Sequence, residues 1–175
     1  MGGQSVLGFV IRTFIVLTPV LLGAVLVMMV NLPVSVTAGL IPAPQLVLAP
    51  IYFWALVRPD LMPPIAALGL GLLEDLLSGG APGVWGGGFL AAYAFSERQR
   101  DSLAGLSGSG AILGFGAAMF IAAGTAYGLA ALAYWQWPPV GPLLLQSAVT
   151  IAFYPLLAVI MNRLHRRLIG PRRDD

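Results

Sequence analysis

The sequence predicts an all-α integral membrane protein with six transmembrane helices, and three observations predict it. Of the 175 residues, 58% are hydrophobic and only 9% charged, against roughly 25% charged in an ordinary soluble domain. The apolar residues fall into runs bounded by glycine, proline or charge. The nine basic side chains are all arginine, with no lysine, and they sit in alternate connecting segments. A chain this short exposes much of its surface even when folded, so it cannot bury that much apolar area in water. Lipid is the expected solvent, for a single polytopic domain over residues 1–175.

The first span, residues 13–32, has about the 20 residues that cross a hydrocarbon core at 1.5 Å per residue. It exceeds the 7 to 15 apolar residues of a typical signal sequence, so it reads as a retained span. Residues 33–44 hold Pro33, Gly39, Pro42 and Pro44, which suits an outer interfacial loop. The second span, residues 45–57, carries Tyr52, Phe53 and Trp54 just before Arg58, an aromatic-then-arginine order that marks a headgroup boundary. The third, residues 62–77, opens on Pro63 and Pro64, which lose no donor in a first helical turn. It stops at the glycine-rich turn 78–83. The fourth, residues 84–96, is too short to cross alone, so spans three and four form a short hairpin whose freed backbone groups must be covered by protein.

A charged loop at 97–101 leads to the fifth span, residues 108–134. The sixth, residues 141–162, holds Pro155 as a kink candidate. With the N-terminus inside, Arg12, Arg58, Arg98, Arg100 and the five arginines of the basic tail, residues 163–175, all fall on the inner side. The three outer loops carry no charge, as the positive-inside rule requires. Trp85, Trp135 and Trp137 form an outer aromatic belt and Trp54 an inner one. Both termini are therefore expected in the cytoplasm, with the tail drawn to anionic headgroups. Nine localised arginines do not make a nucleic-acid surface.

Glu74 and Asp75 are the only acids inside an expected span, toward the outer end of the third helix, and no arginine shares their half of the membrane. Two readings stand open. They bond locally, to headgroups, hydroxyls or amides of the 78–80 turn, or at least one is held by a partner chain or lines a polar cavity. A catalytic pair is disfavoured: adjacent helical residues point ~100° apart, and no embedded histidine or lysine stands by to activate a serine. His165, the lone histidine, lies among tail arginines. Without cysteine there is no thiolate metal site. The run 107–110, Ser-Gly-Ser-Gly, lacks the lysine and strand of a phosphate loop, so neither cofactor nor metal is expected. In the fifth span, Gly110 with Gly114 and Gly124 with Gly128 have small-xxx-small spacing for close helix packing, within the chain or between subunits.

Pro44 to Leu48, Tyr52, Trp54, the run Gly71-Leu72-Leu73-Glu74-Asp75-Leu76-Leu77-Ser78-Gly79, Gly83, and the last helix from Thr150 through Tyr154-Pro155 to the arginines resemble the rod-shape-determining MreD family of bacteria. In that family a helix ends in an aspartate followed by a Leu-Leu-Ser-Gly turn and another glycine. Glu74 stands where the family more often has an apolar residue, and Gly86-Gly87-Gly88 is unusually glycine-rich, so the family role is carried onto Asp75 alone.

The resemblance implies a non-enzymatic scaffold of the cell-wall (peptidoglycan) elongation machinery in the inner membrane. It implies a six-helix fold like the substrate-binding subunits of energy-coupling-factor vitamin transporters. The implied partners are a single-span MreC-like protein and an actin-like MreB. Asp75, Glu74, Ser78, Gly79, Gly83 and Trp85 are the candidate partner-binding or structural set. The alternative is such a transporter subunit itself, with a pocket lined by Trp85, Glu74 and Asp75.

Overall fold

The computed structural model describes residues 3–32, 42–103 and 108–166, with side chains from Leu17 onward. Arg12, most of the 33–44 loop, Ser107 and the tail beyond Arg166 lie outside the described side chains. Every regular element among the described residues is helical. They are α1 (Gly3–Val30), α2 (Leu48–Val57), a 3-10 turn (Pro59–Leu61), α3 (Pro64–Ser78), α4 (Val84–Arg98), α5 (Arg100–Leu103), α6 (Ser109–Tyr134) and α7 (Val140–Leu164).

Two helices, α6 and α7, are long and apolar enough to cross a membrane. Only 17% of the most apolar stretch of α7 is buried inside the protein. Its outer face carries Leu144, Leu145, Phe153, Leu156 and Ile160, while Ser147, Thr150, Tyr154 and Met161 form the buried stripe. On α1, Pro19, Gly23 and Val27 face inward, and Leu17, Leu21, Val25 and Met28 face outward. Both helices thus carry an apolar outer face, of a kind that soluble chains rarely expose over a large patch.

The helix boundaries differ from expectation in three places. α1 begins about ten residues before the expected first span and runs through Pro19. α4 continues through Glu97 to Arg98, and α5 follows at once, so most of the expected loop 97–101 is helical. The second span is helical for only ten residues, about 15 Å at 1.5 Å each. Eight of those ten are buried, because α2 packs against α1, α4, α6 and α7. Trp54 is completely buried in this core, not placed on an inner aromatic belt. Trp135 and Trp137, at the α6–α7 turn, are exposed.

The non-helical approach to α2, residues 42–47, is covered by protein. Thr150 Oγ1 on α7 accepts the Gln45 amide at 2.9 Å, and Gln146 Nε2, one turn earlier, donates to the Ala43 carbonyl at 2.7 Å. Backbone away from water must find such partners or leave costly unpaired groups. Thr150→Val keeps the shape and removes the acceptor, so it is expected to cost about 1 to 3 kcal/mol. A lowered melting temperature in detergent and faster hydrogen exchange at the Gln45 amide would register it.

α4 lies between α3 and α6, and its three consecutive glycines make that possible. A Cβ on Gly71 of α3 would stand 2.5 Å from the Gly86 Cα and 2.7 Å from the Trp85 carbonyl oxygen. A Cβ on Gly88 would stand 2.7 Å from the Ala122 carbonyl oxygen of α6. Residues 86 and 88 point ~200° apart on a helix, so each serves one neighbour, and Gly87 receives Leu129 between them.

Candidate functional site

The α3–α4 hairpin is organised by one residue. α3 ends in a left-handed cap at Gly79 (φ 70°), and the amides of Gly79 and Gly80 donate to the Asp75 carbonyl, with Ser78 Oγ donating to the same oxygen at 3.3 Å. This is the usual way for glycine to satisfy the last carbonyls of a helix. α4 is preceded at its N-cap by Gly83 (φ 95°), which has no side chain with which to cap it. Its free amides are capped from across the turn: Gly83 N and Gly86 N donate to Asp75 Oδ2 at 2.8 and 3.2 Å, and Trp85 N donates to Oδ1 at 2.8 Å. A helix N-terminus presents unpaired donors and a partial positive charge. Asp75, 1% exposed, thus closes α3 with its backbone and opens α4 with its carboxylate.

Glu74 points elsewhere, as adjacent helical residues must. Its Oε2 accepts from Asn31 Nδ2 at 2.9 Å and its Oε1 from Gln45 Nε2 at 3.3 Å, and the side chain is 2% exposed. Asn31 follows the end of α1 and also donates to the Val27 carbonyl. The same Gln45 whose backbone is held by Thr150 therefore presents its amide to Glu74, tying the ends of α1 and α3 to the middle of α7 through one acid.

The expected missing counter-ion is thus met, for both acids, by amide donors of the same chain. The local partners differ from those expected: the Asp75 carboxylate reaches amides at 83–86, and the 79–80 amides bind its carbonyl instead. Ser78, Gly79, Gly83 and Trp85 all join this structure, and Glu74 stands apart from them. Trp85 lines a separate groove of about 140 Å3 with Val84, Ala126, Tyr127 and Leu143, and neither acid is among its lining residues.

Of the four glycines expected to pack helices, Gly114 packs within the chain, where a Cβ would collide with Tyr52 Oη and Leu103. Gly124 and Gly128 face open space, and Gly110 is half-buried in the first turn of α6. The close-packing glycines that spacing alone did not single out are Gly71, Gly86 and Gly88. Asn31 and Gln45, both uncharged, were also missed as partners of Glu74. Their one signal in the sequence is that they are polar residues in a run otherwise nearly free of them.

At the opposite end, the arginines of three separate segments converge. Arg100 Nε donates to the carbonyl of Leu56, which lines one cavity with His165 at the end of α7, at 2.9 Å, and Arg58 forms a salt bridge with Asp60 at 2.7 Å. Burial, and then the nearby Arg58 guanidinium, hold the His165 imidazole below its ordinary value. Among the described residues, no group of three or more histidine, cysteine, aspartate or glutamate side chains is placed to hold a metal ion.

These features define an all-helical protein, with two helices fit to cross a membrane, whose buried acids are joined into its own framework. Comparison with protein-family models, with curated proteins and with solved structures found no match.

Proposed function

We propose that this chain is a non-enzymatic scaffold of the bacterial inner membrane, of the MreD kind, that holds a single-span MreC-like protein within the cell-wall elongation machinery. In this reading it passes the membrane six times with both termini cytoplasmic and works beside an actin-like MreB. The convergence of Arg58, Arg100 and the end of α7 at one end supports that orientation. The shortness of α2, α3 and α4 fits a bundle whose middle helices are partly covered by α1, α6 and α7.

The observation that carries the scaffold reading is the open face of α3. Ile65, Leu72 and Leu76 are exposed, with relative exposures of 71%, 41% and 76%, and they follow helical spacing with Gly69 between them. A Cβ on Gly69 would meet nothing within 4 Å. An apolar stripe with a small residue at its centre lets another transmembrane helix approach closely, and Asp75 holds the helix that presents it. The transporter alternative calls for a ligand held by Trp85, Glu74 and Asp75; with both acids hydrogen-bonded inside the chain, the scaffold is preferred.

The test is co-purification from membranes with an MreC-like single-span protein. Gly69→Phe places a large ring in open space on this face and is expected to reduce recovery about fivefold or more. Leu113→Phe, on the exposed face of α6, is expected to leave it unchanged. Equal recovery of wild type and Gly69→Phe would remove the α3 face from the proposal.

A further inference from the structure

A cavity of about 390 Å3 opens at the arginine-bearing end, between α2, α6 and α7, and the scaffold role makes no use of it. Its size falls within the range of small-ligand sites. Its walls are mixed. Phe53, Val57, Ala158 and Val159 are apolar, whereas Tyr52, Asn162 and His165 bring polar atoms to the lining. Tyr52 is held by edge-on contacts with Phe115 and Tyr154, which stack on each other at 4.1 Å.

Two of the polar atoms lack partners. Tyr52 Oη and His165 Nδ1 are buried without a hydrogen bond among the described residues, and Tyr52 as a whole is 1% exposed. Buried polar atoms are nearly always paired, so both atoms mark places for a ligand's oxygens.

Charge favours an anion. Arg163 and Arg166 lie one helical turn beyond the lining residues Val159 and Asn162, and positions four apart share a helix face. Arg58 is near enough to act on His165, and Arg100 binds the carbonyl of Leu56, another lining residue. The described charged residues at this end are Arg58, Arg98, Arg100, Arg163 and Arg166 against Asp60, Glu97 and Asp101. Asp60 is already engaged with Arg58.

The outer surface of α7 beside the cavity, Leu156, Val159 and Ile160, is apolar and exposed, so a ligand arriving from the bilayer meets no polar barrier. We propose that this cavity binds one anionic phospholipid of the inner leaflet. Its phosphate sits at His165 and the Arg163–Arg166 turn, its ester oxygens reach Tyr52, and the start of an acyl chain lies against Phe53 and Ala158. The proposal rests on the membrane reading above and is independent of the partner on α3.

The full-length protein, stripped of lipid in detergent, is titrated with phosphatidylglycerol or phosphatidylcholine, and bound lipid is counted by native mass spectrometry. Wild type is expected to keep one phosphatidylglycerol with about tenfold or greater preference, as two nearby arginines allow. Ala158→Trp fills the cavity and is expected to abolish retention with an unchanged melting temperature. Should that variant fail to fold, the exposed pair Arg163→Gln with Arg166→Gln is expected to erase the preference while leaving the fold intact. Equal retention of the two lipids, or retention undiminished in these variants, would overturn the proposal. Displacement by millimolar inorganic phosphate would assign the site to free phosphate and overturn the lipid. Because no partner protein is present, failure here leaves the α3 co-purification result standing.

Discussion

Asp75→Ala is expected to destabilise the protein by about 3 to 5 kcal/mol, since each buried donor left without its acceptor costs about 1 to 3 kcal/mol. Three amides, those of Gly83, Trp85 and Gly86, would lose their acceptor at once. They sit at the start of α4, where no intrahelical carbonyl can take them and Gly83 has no side chain to substitute. The carboxylate is buried, so water does not readily replace it. Asp75→Asn keeps the size but turns an N–H2 toward at least one amide donor, and it is expected to lose most of the same stability. The measurement is thermal unfolding in detergent with helicity as the readout. A shift no larger than that of a surface substitution would show that the clamp does not hold the hairpin. For the same reason, loss of a partner in an Asp75 variant reports first on the hairpin, and the α3 face is the sharper probe of docking.

Gly71→Ala carries the second large effect, about 3 kcal/mol or more, because overpacking here has no soft neighbour to displace. The added methyl would meet backbone on every near side: the Cα and nitrogen of Gly86 at 2.5 and 2.6 Å and the Trp85 carbonyl at 2.7 Å. Relief requires α3 and α4 to separate, which also draws the Asp75 carboxylate away from Gly86. Gly69→Ala, two residues earlier on the same helix with nothing within 4 Å, is the matched control. It is expected to be neutral or to stabilise by up to about 1 kcal/mol through helix propensity. Similar melting temperatures for the two variants would refute close backbone contact at Gly71. Gly23→Ala is expected to be milder than Gly71→Ala, since its nearest atom is the flexible end of Leu70.

Much of the helical order was legible because apolar runs and their breakers depend on residue type alone. α6 and α7 begin and end within two residues of the expected spans. Gly79 and Gly83 were legible as a turn because left-handed backbone favours glycine. The shortness of α2 was not legible: Leu46 and Val47 could continue a helix on paper, yet α2 begins only at Leu48, after a stretch in which Thr150 takes the Gln45 amide and Gln146 donates to the Ala43 carbonyl, each about a hundred residues away. Trp54 was assigned to a membrane interface by its nearness to Arg58, yet it is completely buried on α2, a helix that packs against four others. Long-range packing overrode a local cue.

The acids show the same division. By itself, the sequence determined that Glu74 and Asp75 lie on one apolar helix beside a glycine turn, with no arginine expected in their half of the membrane, because composition and order suffice for that. Only the tertiary structure decided that their charge is answered by amides. The donors are the first turn of the next helix for Asp75, and Asn31 and Gln45 for Glu74. The physical reason is that a backbone N–H belongs to every residue except proline and an uncharged amide carries no formal charge. Neither leaves a mark in a charge pattern until the chain folds and aims it at a carboxylate.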